Sequence, residues 1–429
     1  MRSLILILLL GSTIGLNAQK LFTDNSDFFY QISPVYNFKR SIVSLSFDDG
    51  YLVQFTIGMT ILKERNLPAT FYVITDRIDS IRKKIILDNY SNNFEIGSHT
   101  VTHPDLVKIG NTEAYNQLSD SKLFLQKNFG MNSGLTMSYP WGIYDKSVEQ
   151  IAEGLYLAAR STDPGYNSVN SPDRYALKMQ NFDARINYGT ANSWVDFAMQ
   201  NHLWLIEMLH GINKAGYSAI DSVTLALHLD YIKKSGDVIL CSNVENVIKY
   251  IEESKKAGIS CEMCDDSVYQ IRINDFLSDS IFDQPLSIRI KIPANWDSIS
   301  VSKASNIRTE NINKNKFILF NALPDNQLIT IRPGFISIPK KESGLRFVYL
   351  SANPFIDKIL LTLEALDKQD IDIVLCSMNG KLFIHKEEKS VTGVINLVFD
   401  TSTIGSGLYF LNVRSITDGS SFTYKLVKI

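Results

Sequence analysis

The strongest constraint in this sequence is an alternation that runs from residue 41 to residue 257. Short apolar runs of strand length occur at residues 41–47, 69–74, 135–139, 156–159, 203–209 and 238–240. Between them, helical periodicity marks residues 52–65, 112–128, 144–153, 219–234 and 243–256. Strands separated by helix-length crossovers pair in parallel rather than as hairpins, with helices covering the sheet. The pattern therefore predicts an α/β domain, either a barrel or a doubly wound sheet. Both architectures place chemistry at the carboxyl ends of strands.

The first apolar run ends in Asp48, Asp49 and Gly50. In a regular strand neighbouring side chains point to opposite faces, so two adjacent acids share one site only if the backbone turns there. Gly50 permits such a turn. One carboxylate can then bind a metal while the other moves a proton, the division of labour that metal-assisted hydrolysis requires. Taken alone, the same residues also read as a solvated turn. About fifty residues later, His99 and His103 follow another short apolar run, and the chain has only six histidines. Gly97 and Pro104 favour a tight loop there. Asp49, His99 and His103 make a two-His, one-carboxylate set with positions left open for water and substrate.

These ordered blocks resemble the polysaccharide deacetylases of carbohydrate esterase family 4, the NodB-homology domain. Ser46-Phe47-Asp48-Asp49-Gly50 is similar to the family's first motif and His99-Thr100-Val101-Thr102-His103 to its second. Met208-Leu209-His210-Gly211 is similar to its late Leu-His motif. The resemblance spans roughly residues 36 to 255 and implies a distorted (β/α) barrel with fewer than eight regular units. It further implies Asp48 as base, His210 as general acid, and a divalent metal on Asp49, His99 and His103. Zn2+ is the first expectation, and Co2+, Ni2+ and Fe2+ suit the same donors. The implied substrate is an acetylated polysaccharide, with N- or O-acetyl groups removed.

The third block departs from the family pattern. Ser138-Tyr139-Pro140-Trp141-Gly142 stands where many members carry Arg-Pro-Pro-Tyr-Gly, so the arginine that would hold the base is missing from its usual place. Arg160, at the end of a neighbouring apolar run, can supply the guanidinium instead; a surface salt bridge is the plainer alternative. Tyr139, Pro140 and Trp141 are expected on the substrate side, with the Tyr139 backbone N–H facing the oxyanion and Trp141 stacking on a sugar. The acid that would tune His210 is either Asp163 or Asp183. His202, His228 and His385 receive no role. A glycan-binding relative without activity, or an amidase acting on a non-sugar amide, are the competing readings.

The ends of the chain point to export. Met1-Arg2-Ser3 followed by seven apolar residues reads as a secretory signal peptide over residues 1–18, and no later stretch is apolar enough to span a membrane. A net charge of -2 excludes the clustered basic surface that nucleic acid requires. The catalytic domain is placed at residues 19–260. Beyond it the texture changes to short alternating strands, predicting two small β-sandwich domains at residues 265–345 and 347–429. The last of these resembles the sorting domain of the bacterial type IX secretion system, through Tyr349 to Phe355, Val374 to Lys381, Gly405 to Val413 and Lys425 to Ile429. That implies recognition by outer-membrane secretion machinery of a Gram-negative bacterium, with release or surface attachment. Export permits disulfides, and Cys241 is expected to pair with Cys261 or Cys264.

Overall fold

The computed structural model describes residues 28–429 apart from 90–92, 266, 297, 334–343, 351–354 and 378–379. The expected leader and part of the block around residues 349–355 lie outside the described residues. The chain divides into two compact units, Met1–Pro333 and Gly334–Ile429.

The first unit opens with β1 (Tyr30–Ile32), β2 (Ser41–Asp49), β3 (Ala69–Val73), β4 (Phe94–Ser98), β5 (Thr136–Ser138), β6 (Ala158–Pro164), β7 (Asn167–Ser168), β8 (Leu177–Asn181), β9 (Leu203–Leu209) and β10 (Ile239–Cys241). Interleaved with these are α1 (Met59–Arg65), α2 (Ser80–Asn89), α3 (Asn111–Phe129), α4 (Lys146–Leu155), α5 (Tyr188–Asn201), α6 (Ser222–Lys234) and α7 (Val244–Lys256). Strands β2, β3, β4, β5, β6, β8 and β9 are parallel neighbours in that order, and β9 pairs back onto β2. The result is a closed barrel with fewer than eight strands; β10 extends it in parallel on β2 and β7 antiparallel on β9.

Period-two alternation sorts each strand between two cores. Val43, Leu45, Phe47, Phe71, Val73, Phe94 and Ile96 face outward and pack with residues of α1, α5 and α6. Inside, Ala158, Leu177, Trp204, Ile206 and Met208 form an apolar wall that meets Val244, Val247, Ile248 and Ile251 of α7. The opposite inner wall is polar. Ser46 donates to the Glu207 carbonyl, Thr70 to Glu95, and the Tyr72 hydroxyl lies 3.1 Å from Thr136. Strand β8 and helices α2 and α5 add to the elements expected from the apolar pattern. β8, Leu-Lys-Met-Gln-Asn, has too few apolar residues to stand out, and the apolar faces of α2 and α5 are interrupted.

After α7 come β11 (Gly258–Cys264), β12 (Tyr269–Asn274), β13 (Leu286–Ile292), β14 (Ile299–Val301), β15 (Ser305–Ile312), β16 (Asn315–Ala322) and β17 (Ile329–Pro333). They form two four-stranded sheets, β1-β13-β16-β15 and β11-β12-β17-β14, around one core that buries Trp296. β1, from ahead of the barrel, pairs with β13 and completes one of these sheets. Trp296 is core, 1% exposed. The expected disulfide is also corrected: Cys261 bonds Cys264, its neighbour within β11, while Cys241 is a free thiol on β10. Proximity along one strand end satisfied the pair locally, which spacing alone did not reveal.

The second unit contains β18 (Leu345–Leu350), β19 (Lys358–Ser377), β20 (Leu382–Asp400), β21 (Gly407–Ser415) and β22 (Ser421–Lys428), all antiparallel. Among the described residues their pairings join all five strands. The 20-residue β19 pairs β18 with its first part and β21 with its last, while β20 runs along its other edge. Among the described residues, no helix is long and apolar enough to cross a membrane.

Candidate active site

Asp48 and Asp49 end β2 at the carboxyl mouth of the barrel, buried at 3% and 8% exposure. Asp49 and Gly50 both adopt left-handed backbone, φ 80° and 72°. This turn breaks the strand alternation and lets adjacent acids serve one site. His99 follows β4 directly. Thr100 and His103 are also left-handed, φ 66° and 64°, so the segment that carries both imidazoles is a tight loop and not a helix. The Thr100 hydroxyl accepts from the His103 N–H at 2.9 Å and fixes that loop.

The donor atoms of Asp49, His99 and His103 lie within 4.8 Å of one another, and Asp49 Oδ1 is 4.0 Å from His103 Nε2. His99 Nδ1 lies 2.9 Å from the Ser138 carbonyl and 2.6 Å from its hydroxyl. A carbonyl only accepts, so Nδ1 carries the proton and Nε2 keeps a lone pair. Burial pushes both imidazoles towards the neutral form, and burial with the neighbouring His99 takes His103 to about 4. Two neutral imidazoles and a carboxylate suit a divalent cation of the zinc type. Arg77 lies 3.6 Å from Asp49 Oδ1, a neighbour that the sequence did not suggest.

Arg160, on β6 and fully buried, forms an ion pair with Asp48 Oδ2 across the barrel. Register explains the reach: Arg160 stands opposite Ser138 of β5, on the inward face. Its guanidinium also donates to the Ser161 carbonyl at 2.8 Å and stacks over Tyr72. Asp48 Oδ1 is buried with no hydrogen-bond partner. Burial raises the Asp48 pKa, but Arg160, His99 and His210 together hold it below the usual carboxylate range. His210 follows β9, and the Gln54 side chain donates to the backbone carbonyls of Asp48 at 2.5 Å and His210 at 2.8 Å. One amide thus ties the ends of β2 and β9 together.

The third block divides. Pro140 is buried and Trp141 is 66% exposed, its ring 4.7 Å from that of His103. Tyr139 is different: its side chain is buried, stacked on Tyr144, and its N–H donates to the Arg160 carbonyl at 3.0 Å. The expected oxyanion donor is therefore consumed by pairing with β6. Asp183 is held by Arg185 and Asn181, and Asp163 by Ser161; among the described residues neither forms an ion pair with His210. Ser138, Gln54 and Arg77 act through a backbone carbonyl, an amide and a loop cation, none of which carries a motif. A cavity of about 580 Å³ lined by Glu95, Glu245 and Lys249 contains none of these site residues.

The family profile for polysaccharide deacetylase matches residues 36–159. This chain carries a polysaccharide deacetylase domain. A chitooligosaccharide deacetylase from Sinorhizobium fredii is 32% identical over 129 residues, 28% of this chain and 58% of that protein. A gellan lyase from a Bacillus species is 25% identical over 325 residues, 69% of this chain and 13% of that protein. The chain thus spans less than two thirds of the length of these curated relatives. The Xyl-CE4 domain of a multidomain xylanase from the hindgut metagenome of Trinervitermes trinervoides aligns at 14% identity and TM-score 0.37, covering 49% of this chain and 90% of that one. The matched stretch of the deacetylase domain ends just before Arg160 and well before His210, so their place beside Asp48 comes from the fold.

Proposed function

We propose that the protein is a metal-dependent hydrolase that removes N- or O-acetyl groups from a carbohydrate polymer. The supporting observation is the convergence of Asp49, His99 and His103 beside the free oxygen of Asp48. Those three side chains would hold a divalent cation, which would supply charge to polarise an acyl carbonyl and acidify a water. Zn2+ fits the donors, as Co2+, Ni2+ and Fe2+ also do. Asp48 takes the proton of the attacking water on Oδ1, while Arg160 keeps Oδ2 engaged. The water oxygen bonds to the acyl carbon, the carbon–nitrogen or carbon–oxygen bond breaks, and His210 donates a proton to the departing sugar nitrogen or oxygen. Trp141 offers an exposed face to a sugar ring.

The arginine missing from the third block was the ground for reading the chain as an inactive glycan binder. The ion pair of Arg160 with Asp48 supports the active reading instead. The domain boundaries, the leader at residues 1–18, the sorting role of residues 347–429, and release or attachment outside the outer membrane belong to the same proposal and rest on the sequence blocks. The test is acetate release from acetylated oligosaccharides and polysaccharides. Activity should vanish on chelation, return with added Zn2+, and be absent in Asp48→Asn. Metal-loaded protein that releases no acetate from any acetylated carbohydrate would overturn the reading.

A further inference from the structure

We infer that Tyr217 is a positioning residue: it holds the His210 imidazole in its proton-donating pose and walls the leaving-group side of the site. The inference rests on the deacetylase reading. The Tyr217 ring meets that of His210 edge to face, with centroids 5.2 Å apart and planes at 78°. Such a contact restricts imidazole rotation, because a T-shaped pair loses its attraction when either ring turns. Yet Tyr217 is 66% exposed, so burial of its own surface does not account for its placement. Across the site Trp141 does the same for His103, with the same exposure and centroids 4.7 Å apart. The metal side and the acid side thus each end in an exposed aromatic that braces a histidine.

The loop that carries Tyr217 is built to hold it still. Gly211 N–H donates to the Tyr217 carbonyl and Ile220 N–H to the Gly211 carbonyl, both at 3.0 Å. Ile212 and Ala215 exchange a reciprocal pair of backbone bonds within it. Asn213, Lys214, Gly216 and Ser218 all have positive φ, from 43° to 91°. Four such residues in one short loop persist only where surrounding bonds over-determine the backbone. A Cβ on Gly216 would come 2.8 Å from the Tyr51 ring, so the loop sits directly on Tyr51. Tyr51 also interacts with the Asp49 carboxylate and the Tyr217 backbone. The wall beside His210 is thereby referenced to the cation-binding strand.

The experiment compares Tyr217→Phe and Tyr217→Leu with the wild type by two readouts. In the first, metal-loaded protein is assayed on an acetylated oligosaccharide. Leu should lower kcat by about tenfold to a hundredfold, the scale of a mispositioned catalytic group, and raise KM; Phe, which keeps the ring, should recover kcat. In the second, the His210 ring resonances are assigned through His210→Asn and recorded without substrate. They should keep their ring-current shift in Phe and lose it in Leu. Leu with wild-type kcat and unmoved His210 resonances would overturn the inference. If the wild type releases no acetate, the deacetylase reading falls, and the resonances still decide whether Tyr217 fixes His210.

Discussion

Arg160 of β6 reaches across the barrel to Asp48 of β2, 112 residues away in the chain, and bonds only Oδ2, leaving Oδ1 buried and unpartnered. The geometry engages one oxygen in an ion pair and leaves the other free for the proton transfer proposed above. Arg160→Met should remove the first. It leaves a buried carboxylate without its cation, which costs about 3–5 kcal/mol. In the wild type the Asp48 carboxyl is held below its ordinary value, so its contribution is present above the unfolded carboxylate pKa and is lost as pH falls through the lower folded value. In the variant the carboxyl protonates at higher pH. The acid limb of the kcat/KM profile should therefore move upward in pH, together with a lower urea midpoint.

The imidazoles give a second pH dependence. His103 has its pKa lowered from 6.5 to about 4 by burial and by His99, and His99 is lowered in the same direction. The unfolded chain then binds more protons than the folded one between those values, so stability rises with pH across that window and is lost on acidification from 6.5 towards 4. Metal-free protein should melt at a lower temperature at pH 5 than at pH 7, and His103→Ala should reduce the difference. A cation that binds only the folded state adds about 2.7 kcal/mol at a hundredfold excess over its Kd. Chelation should remove that increment, and elemental analysis should find the metal absent in Asp49→Ala.

Much of this site was legible because its groups follow apolar runs of strand length. Asp48, Asp49, His99, His103, Arg160 and His210 all lie at the mouth that a parallel barrel makes. What sequence left out depends on contacts that carry no residue signature. The partner of His99 is a backbone carbonyl of Ser138, and Gln54 joins two strand ends through carbonyls. Nothing in Ser-Tyr-Pro-Trp-Gly discloses that β6 takes the Tyr139 N–H that the sequence offers to an oxyanion. Cys241 failed as a disulfide partner for a similar reason: its strand pairs with β2, while Cys261 and Cys264 fold against β12.

Ser138 should tune the metal through His99. Its hydroxyl and carbonyl both contact Nδ1, so Ser138→Ala removes one partner and keeps the other. Groups that orient a ligand in this way contribute about tenfold to a hundredfold in affinity. With the carbonyl retained, a loss near the lower end is expected. Competition with a chromophoric chelator measures it, and an unchanged Kd would mean that the carbonyl alone sets the tautomer.

Gly97 sits tightly against a buried ring inside the barrel. A Cβ there would lie 2.6 Å from two ring carbons of Tyr72 and 3.2 Å from the Thr136 carbonyl. Tyr72 is fully buried and lies beneath the Arg160 guanidinium, so it has no free volume to retreat into. Gly97→Ala should destabilise by about 1–3 kcal/mol, the cost of overpacking. Because the displaced ring supports Arg160, kcat should fall as well, which distinguishes this variant from a remote core mutation of equal stability.

Trp141 offers the last test, because its pose depends on the residue after it. Trp141 has φ 59° and Gly142 φ 70°, and a Cβ on Gly142 would lie 2.7 Å from both Cβ and Cγ2 of Thr162. Gly142→Ala therefore meets both a steric and a conformational obstacle, and the turn must shift. The Trp141 ring would leave the face of His103. If that ring stacks on sugar, KM for an acetylated oligosaccharide should rise several-fold while hydrolysis of a small aryl acetate changes less. Thr162→Gly added to Gly142→Ala relieves the clash but not the backbone penalty, so a double-mutant cycle separates the two. Full recovery assigns the loss to Thr162; partial recovery assigns the remainder to the left-handed turn that presents Trp141.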